Sequence, residues 1–428
     1  MPDTLPTLPL LPDFRIRSRA GVVEFPVHHM RGGTSTGLVI WEPCAPRDIA
    51  LREELLRHLM GVPLTGDRSG NRQIAGLGRG TATSNKVFFA DMEWVGSVPR
   101  MVSTLAQLAS YTSAVDWSVN CGNMSAALPF WALDTGLASC QGSGPWSIDI
   151  RNTNTGVVTS ARLQVQADAT VAANEIPGVD GAFPAVDLFL HAPVGAKTGK
   201  LLPTGNVTDK VGRYTVSCVD VAVPMVIANA RQFGKTAHEP IEELEADPRF
   251  MGELKHVWIE AGLHMALKTR DGTLMTAEQL AKSETIPKVC IVGAPQRDGH
   301  LSARYFTPQT GHASLAVSGG CCLAAAALIP GTVAHDMARR IPQVSAQFDD
   351  YRVDIENPAG VLTATIIARK AENGIEIKSA AYRRSAQILL RGHMPLYRAS
   401  TALQSWLVAA IGRQVAAGDQ TVRVLRRS

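Results

Sequence analysis

Alternation of apolar and polar residues dominates this chain. Residues 22–28, 38–41, 86–90, 147–151, 161–166, 185–191, 288–292, 351–355, 362–368 and 374–379 carry the period of two expected of a half-buried strand. Helical periodicity is rarer. Residues 48–60 place apolar side chains at 49, 51, 55, 56, 59 and 60, one face of an amphipathic helix, and 240–246, 257–267 and 403–412 repeat that spacing more weakly. Strands and helices do not alternate regularly, so the pattern predicts an α+β fold rather than a doubly wound sheet.

Two segments are apolar on nearly every face, as helices enclosed on all sides would be. Residues 120–133 open on Asn120, Cys121, Gly122 and Asn123; residues 314–329 open on Ser314 and continue through Val317, Ser318, Gly319 and Gly320 into Cys321, Cys322 and four alanines. Their separation of about two hundred residues predicts a duplicated pair of domains, each wrapping strands around one central helix. The expected division is 21–205 and 206–395, with a flexible extension over 1–20 and a helical tail over 396–428. Residues 193–206, polar and rich in turn formers, read as a linker or cleft loop.

Composition narrows the function classes. At 428 residues, 45% apolar and 19% charged, the chain has the core of a two- or three-domain globular protein. Its net charge of 42 − 38 = +4 is too weak to imply nucleic acid, and the basic clusters at 15–19 and 423–427 read as solvated ends. Seven cysteines without a C-x-x-C pair argue against a full disulfide framework or zinc knuckle and for reduced thiols in a cytoplasm. The longest apolar run, 321–330, is too short to cross a membrane, and the N-terminus lacks the pattern of a secretory signal.

Several motifs fail on context. Residues 33–37 fit G-x-S-x-G, but a strand follows where a nucleophile elbow needs a helix. Residues 195–200 imitate a P-loop with one residue too few between the glycines and Leu201 in place of Ser or Thr. Gly76, Gly78 and Gly80 also precede a strand, which removes the dinucleotide reading and leaves backbone approach to a ligand or another strand. No histidine pair has metal-ligand spacing, so no metal is expected. Cys321 and Cys322 read as small core thiols. Cys121 differs, because free N–H groups at the start of a helix favour anions, whether a thiolate or a substrate carboxylate. The start of the second helix reads as another carboxylate cradle, the two facing one another across a cleft. Lys86, leading a strand after a polar run, reads either as a strand-end lysine or as a functional one.

Taken in order, Met30–Gly37, Gln73–Gly80, Thr83–Val87, Asn120–Ser125, Thr198–Asn206 and Ile329–Thr332 resemble the motifs of the PrpF family. That family comprises 2-methylaconitate isomerases, 4-oxalomesaconate tautomerases, methylitaconate isomerases and fungal aconitate isomerases. The resemblance, over residues 22–395, implies a diaminopimelate-epimerase-like fold with its active site between two similar domains. It also implies allylic isomerisation of a small unsaturated di- or tricarboxylate without metal or cofactor. Lys86 and Cys121 would form the acid–base pair, either one being the base. Thr34, Ser35, Ser84, Asn120, Gly122, Asn123 and Ser125 would hold carboxylates, joined by Ser318, Gly319 and Gly320. A homodimer is left open. Two other classes remain as rivals, an accessory protein for an aconitase-like partner and a cofactor-independent epimerase, although the latter would need a second base where Ala316 stands. The chain departs from the usual family pattern at Thr36, where lysine is common, at Val223, around 65–72 and in the tail from 401.

Overall fold

A computed structural model describes residues 14–80, 84–118, 120–140, 142–269 and 271–425, with side chains to residue 414. The chain divides into two compact units. One runs to Ala173 and includes Phe183–Val186 and everything from Ser385 onward; the other comprises Asn174–Ala182 and Asp187–Arg384.

In the first unit, Val22–Gly32 and Ser35–Trp41 form an antiparallel hairpin in which Gly32 opposes Ser35. Ser35–Trp41 runs parallel to Lys86–Val95, which returns antiparallel along Val98–Leu108; that strand lies parallel to Gly144–Asn152, itself paired with Val158–Val165. Each parallel step requires a crossover. The first contains Ile49–Met60, capped by the Asp48 carboxylate at Leu51 N–H and ended by Gly61 in the left-handed conformation. The second contains Gly122–Ser125 and Ala127–Asp134.

The second unit repeats this order. Tyr214–Val221 pairs antiparallel with Val223–Asn229, which runs parallel to Lys288–Gly293; Leu301–Thr307, Asp349–Asn357 and Gly360–Ala371 then join in antiparallel, parallel and antiparallel sense. Pro248–His264 lies in the first crossover and Val317–Leu328 in the second. Every residue of the latter helix from Gly319 to Leu328 is buried, which explains its lack of a polar face. The sheet separates two cores: Val219, Val221, Met225 and Ile227 pack with this helix, while Val216, Cys218, Val226 and Ala228 pack with Phe250, Leu254 and Trp258.

Three local expectations change. The N-terminal extension was expected to be loose through residue 20; residues 1–13 lie outside the described residues, but Phe14 and Ile16 are buried and Arg17–Arg19 pairs with Val22–Gly32. Phe14 stacks on Trp41 at 4.9 Å, and its carbonyl accepts the Cys44 thiol at 2.9 Å. The helix expected over 120–133 is interrupted at Ala126, because Pro129 has no N–H to donate to Ser125 and is tolerated only in the first turn of a new segment. The strand expected over 374–379 continues as Gly374–Pro395, its last part pairing with Val22–Gly32 from Ala386 opposite Gly32 to Pro395 opposite Glu24. The tail forms the helix Thr401–Leu425, which buries Leu403, Leu407 and Ala410. Among the described residues no helix is long and apolar enough to cross a membrane.

Candidate active site

The hairpin Val22–Gly32/Ser35–Trp41 turns through Gly33, at φ +54°, and Thr34. Alternation along a strand puts Ser35 and Gly37 on one face, and Lys86, beside Gly37 in the parallel pair, shares it. Gly32 is where this sheet meets the central helix: a Cβ there would lie 2.6 Å from the Asn123 carbonyl oxygen and 2.9 Å from Met124 Cα. Gly37 is equally constrained, since a Cβ would stand 2.3 Å from the Lys86 carbonyl oxygen. Both glycines serve close backbone approach.

Cys121 occupies the N-cap of Gly122–Ser125, and its sulfur accepts Met124 N–H at 3.5 Å, the place a Ser or Asp oxygen commonly fills. Its thiol donates to Ser35 Oγ at 3.9 Å, and its backbone N–H to Asn120 Oδ1 at 2.7 Å. Asn123 Nδ2 donates to Thr34 Oγ1 at 3.3 Å, and the Ser125 hydroxyl to the Cys121 carbonyl at 2.9 Å. Thus Ser35, Asn120 and Ser125 are hydrogen-bonded to Cys121, Asn123, two residues along the same helix start, is bonded to Thr34, and a Cβ at Gly122 would meet open space. Lys86, only 6% exposed, begins its strand on the same sheet face as Ser35; Ser84 lies two residues before it.

Ser318, Gly319 and Gly320 occupy the first turn of Val317–Leu328, whose N-cap, Ala316, has no side chain able to cap. Early N–H groups of a helix have no intrahelical acceptor, so this start retains donors. Gly319 and Gly320 are small for packing as well: a Cβ at Gly319 would lie 2.5 Å from the Tyr305 ring, and one at Gly320 3.1 Å from Leu362 and Tyr382.

Burial separates the thiols. It pushes Cys44, Cys290 and Cys321 up to about 12 and raises Cys218 and Cys322 as well, whereas Cys121 and Cys140 are partly exposed. Cys140 lines a largely apolar concavity of about 620 Å³ at the opposite end of the first unit's central helix.

Sequence reasoning missed the support behind Lys86. Gln73 and Asn85, both buried, exchange reciprocal side-chain hydrogen bonds of 3.0 and 3.1 Å. Gln73 Nε2 also donates to the Met60 carbonyl, Arg79 N–H to Asn85 Oδ1 and Gly80 N–H to Gln73 Oε1. This clasp draws the glycine-rich segment onto the residue preceding Lys86. A Cβ at Gly78 would strike Gln73 Nε2, and one at Gly76 would meet the Gly61 backbone, so those two glycines serve the clasp and the adjoining helix end. The available signal was a pair of amide side chains flanking closely spaced glycines.

Comparison with known proteins agrees with the topology. The chain is 31% identical to the 4-oxalomesaconate tautomerase of Pseudomonas putida over 87% of its own length and 96% of that protein. It is 28% identical to the (4E)-oxalomesaconate Delta-isomerase of Novosphingobium, over 86% of this chain and 96% of that one. Among solved structures, a methylitaconate-delta-isomerase superposes with a TM-score of 0.72 at 25% identity, covering 87% of this chain and 95% of the other. The expected α+β, diaminopimelate-epimerase-like fold is borne out. Since residues 22–397 match the family model described as PrpF protein, the chain belongs to the PrpF family.

Proposed function

We propose that this protein is a cofactor-independent isomerase that moves or inverts the C=C bond of an unsaturated di- or tricarboxylate of the aconitate, 2-methylaconitate or 4-oxalomesaconate type, acting in the cytoplasm. The observation that carries this reading is a partly exposed thiol hydrogen-bonded to Ser35 beside a sheet face that bears Lys86, in a chain whose relatives are named isomerases and tautomerases of such acids.

In this reading, one member of the pair Lys86 and Cys121 removes a proton from the carbon next to the alkene. The electron pair left behind spreads over a dienolate whose oxygens lie on the substrate. Returning a proton to the far carbon shifts the alkene; rotation before return to the original carbon inverts it. Protons and electrons balance without a redox partner, and positioned acid–base groups typically contribute roughly 10²–10⁴-fold. Thr34, Ser35, Ser84, Asn120, Gly122, Asn123 and Ser125 supply hydroxyl, amide and backbone donors for a carboxylate, while Ser318, Gly319 and Gly320 form a second carboxylate cradle in their own unit.

Proton NMR in D₂O tests the reading with cis-aconitate, trans-aconitate, 2-methylaconitate, methylitaconate and oxalomesaconate. The expected result is isomerisation of at least one, with deuterium entering the allylic position. Failure to isomerise or deuterate any of them overturns the proposal.

A further inference from the structure

The opposite face of the same sheet carries a second cluster that the proposed chemistry does not use. His29 and Arg31 alternate with Met30 and Gly32, and Thr36 stands directly across from Arg31 in the hairpin, so all three point away from the central helix. His29 is 6% exposed and Arg31 7%. His29 Nε2, Arg31 Nη2 and Thr36 Oγ1 are each buried, and none has a hydrogen-bond partner among the described residues.

Arg31 is unusual in its surroundings. Nη1 donates to the Gly33 carbonyl at 2.8 Å and to the Ser385 carbonyl and hydroxyl at 3.2 Å, Nε donates to Gln387 Oε1 at 3.3 Å, and the Phe183 ring covers the guanidinium at 4.7 Å. All of these acceptors are neutral. A buried guanidinium without a counter-charge is costly, and a half-satisfied fork more so. The nearby charge has the same sign: Arg79, held through its backbone N–H by Asn85, helps push His29 down to about 4, second to burial. The exposed Arg79 guanidinium has no ion pair among the described residues. The unmet groups therefore comprise one guanidinium nitrogen, one imidazole nitrogen and one hydroxyl, with a further cation nearby and, among the described residues, no carboxylate paired with either arginine.

We propose that this face binds a compact anion, a halide or a single carboxylate group, held by His29 Nε2, Arg31 Nη2 and Thr36 Oγ1 with Arg79 at its margin. Burial of all three atoms limits the occupant to a small ion. The site is separate from the proposed isomerase chemistry, yet it shares the Arg31 guanidinium with the Gly33 carbonyl of the loop that carries Thr34.

Chloride-35 NMR on the full chain tests this directly. Wild-type protein should give a saturable excess linewidth. Thr36→Val and Arg79→Gln should each weaken chloride binding by about tenfold, the effect of losing one charge-assisted hydrogen bond or one nearby charge. Lys86→Ala should leave binding unchanged, which separates this site from the substrate site, and circular dichroism should confirm that every variant folds. Displacement of chloride by acetate would identify the site as accepting carboxylates; persistence of chloride in acetate would identify it as a halide site. The proposal is overturned if the wild type shows no saturable broadening, if broadening survives both Thr36→Val and Arg79→Gln, or if Lys86→Ala abolishes it.

Discussion

At the scale of single residues, Cys121 stands in a position where serine is a preferred N-cap, so Cys121→Ser should retain the cap while removing the thiol. If the thiol exchanges a proton with substrate, turnover should fall by at least about 10², with little change in thermal midpoint; Lys86→Ala should lower turnover similarly. Near-normal turnover in both variants would remove them from the reaction. A second expectation concerns the remaining thiols. Iodoacetamide followed by peptide mass spectrometry should modify Cys121 and Cys140 in the folded chain and leave Cys44, Cys218, Cys290, Cys321 and Cys322 unreacted, because those five are buried. Fast labelling of Cys321 would show that the second central helix is not enclosed as described.

His29 adds a pH dependence. Folding depresses it from 6.5 to about 4, chiefly through burial, so the unfolded chain takes up the proton first as pH falls. Its contribution is fully present above about pH 6.5 and is lost toward pH 4; His58, His300 and His312 are lowered too and act in the same sense. The loss at His29 is at most about 2 kcal/mol by pH 5. Thermal midpoints at pH 7.5 and 5 should therefore converge in His29→Gln relative to wild type, leaving a residual slope from the other histidines. Equal slopes would show that His29 does not contribute to the pH dependence. Cys121 was legible from the sequence because its small polar neighbours mark a helix start. His29, Arg31 and Thr36 were not, because one-dimensional spacing does not reveal which polar atoms remain unmatched after strands pair.

At the scale of elements, Gly144–Asn152 and Val158–Val165 were legible through a wet face that alternates with a buried one, whereas 86–90 and 288–292 were legible as short apolar runs although both of their faces are buried. Tyr214–Val221 is buried on both faces, with Val216 and Cys218 in one core and Val219 and Val221 in the other, and it takes Ser217 and Asp220 into the interior with them. The amphipathic helix Ile49–Met60 was legible almost to the residue, since its cap and glycine stop frame an apolar face. Glycine roles required the fold. Gly37 fitted a loop motif, yet its function is to let two parallel strands meet at Lys86. Gly37→Ala should cost about 1–3 kcal/mol through overpacking against backbone that cannot yield, measured by urea denaturation. It should also lower turnover by displacing Lys86. A stable Gly37→Ala protein would mean that the pair opens at little cost.

At the scale of the whole molecule, the two units repeat a strand order, but the chain does not give them as consecutive pieces. Alternation and the paired apolar helices exposed the duplication in the sequence; long-range strand pairing, which has no local signature, decides where each unit ends. The hairpin strand Val22–Gly32 finds its second neighbour in the last part of Gly374–Pro395, and helix Ile49–Met60 is joined by Thr401–Leu425, with Ser400 N–H and Oγ bonded to the Glu54 carboxylate at 2.7 and 2.8 Å. A fragment of residues 1–205 would contain Cys121, Lys86 and the whole first central helix, yet would leave one edge of Val22–Gly32 unpaired and uncover the surface that Leu403 and Leu407 bury. Unpaired edges promote association, and burying each leucine is worth about 1.5–3 kcal/mol. That fragment should therefore aggregate or give a poorly dispersed ¹H–¹⁵N spectrum, and co-expression with residues 206–428 should restore dispersion. A monomeric, well-dispersed 1–205 fragment would show that the returning strand and tail helix are dispensable for the first unit.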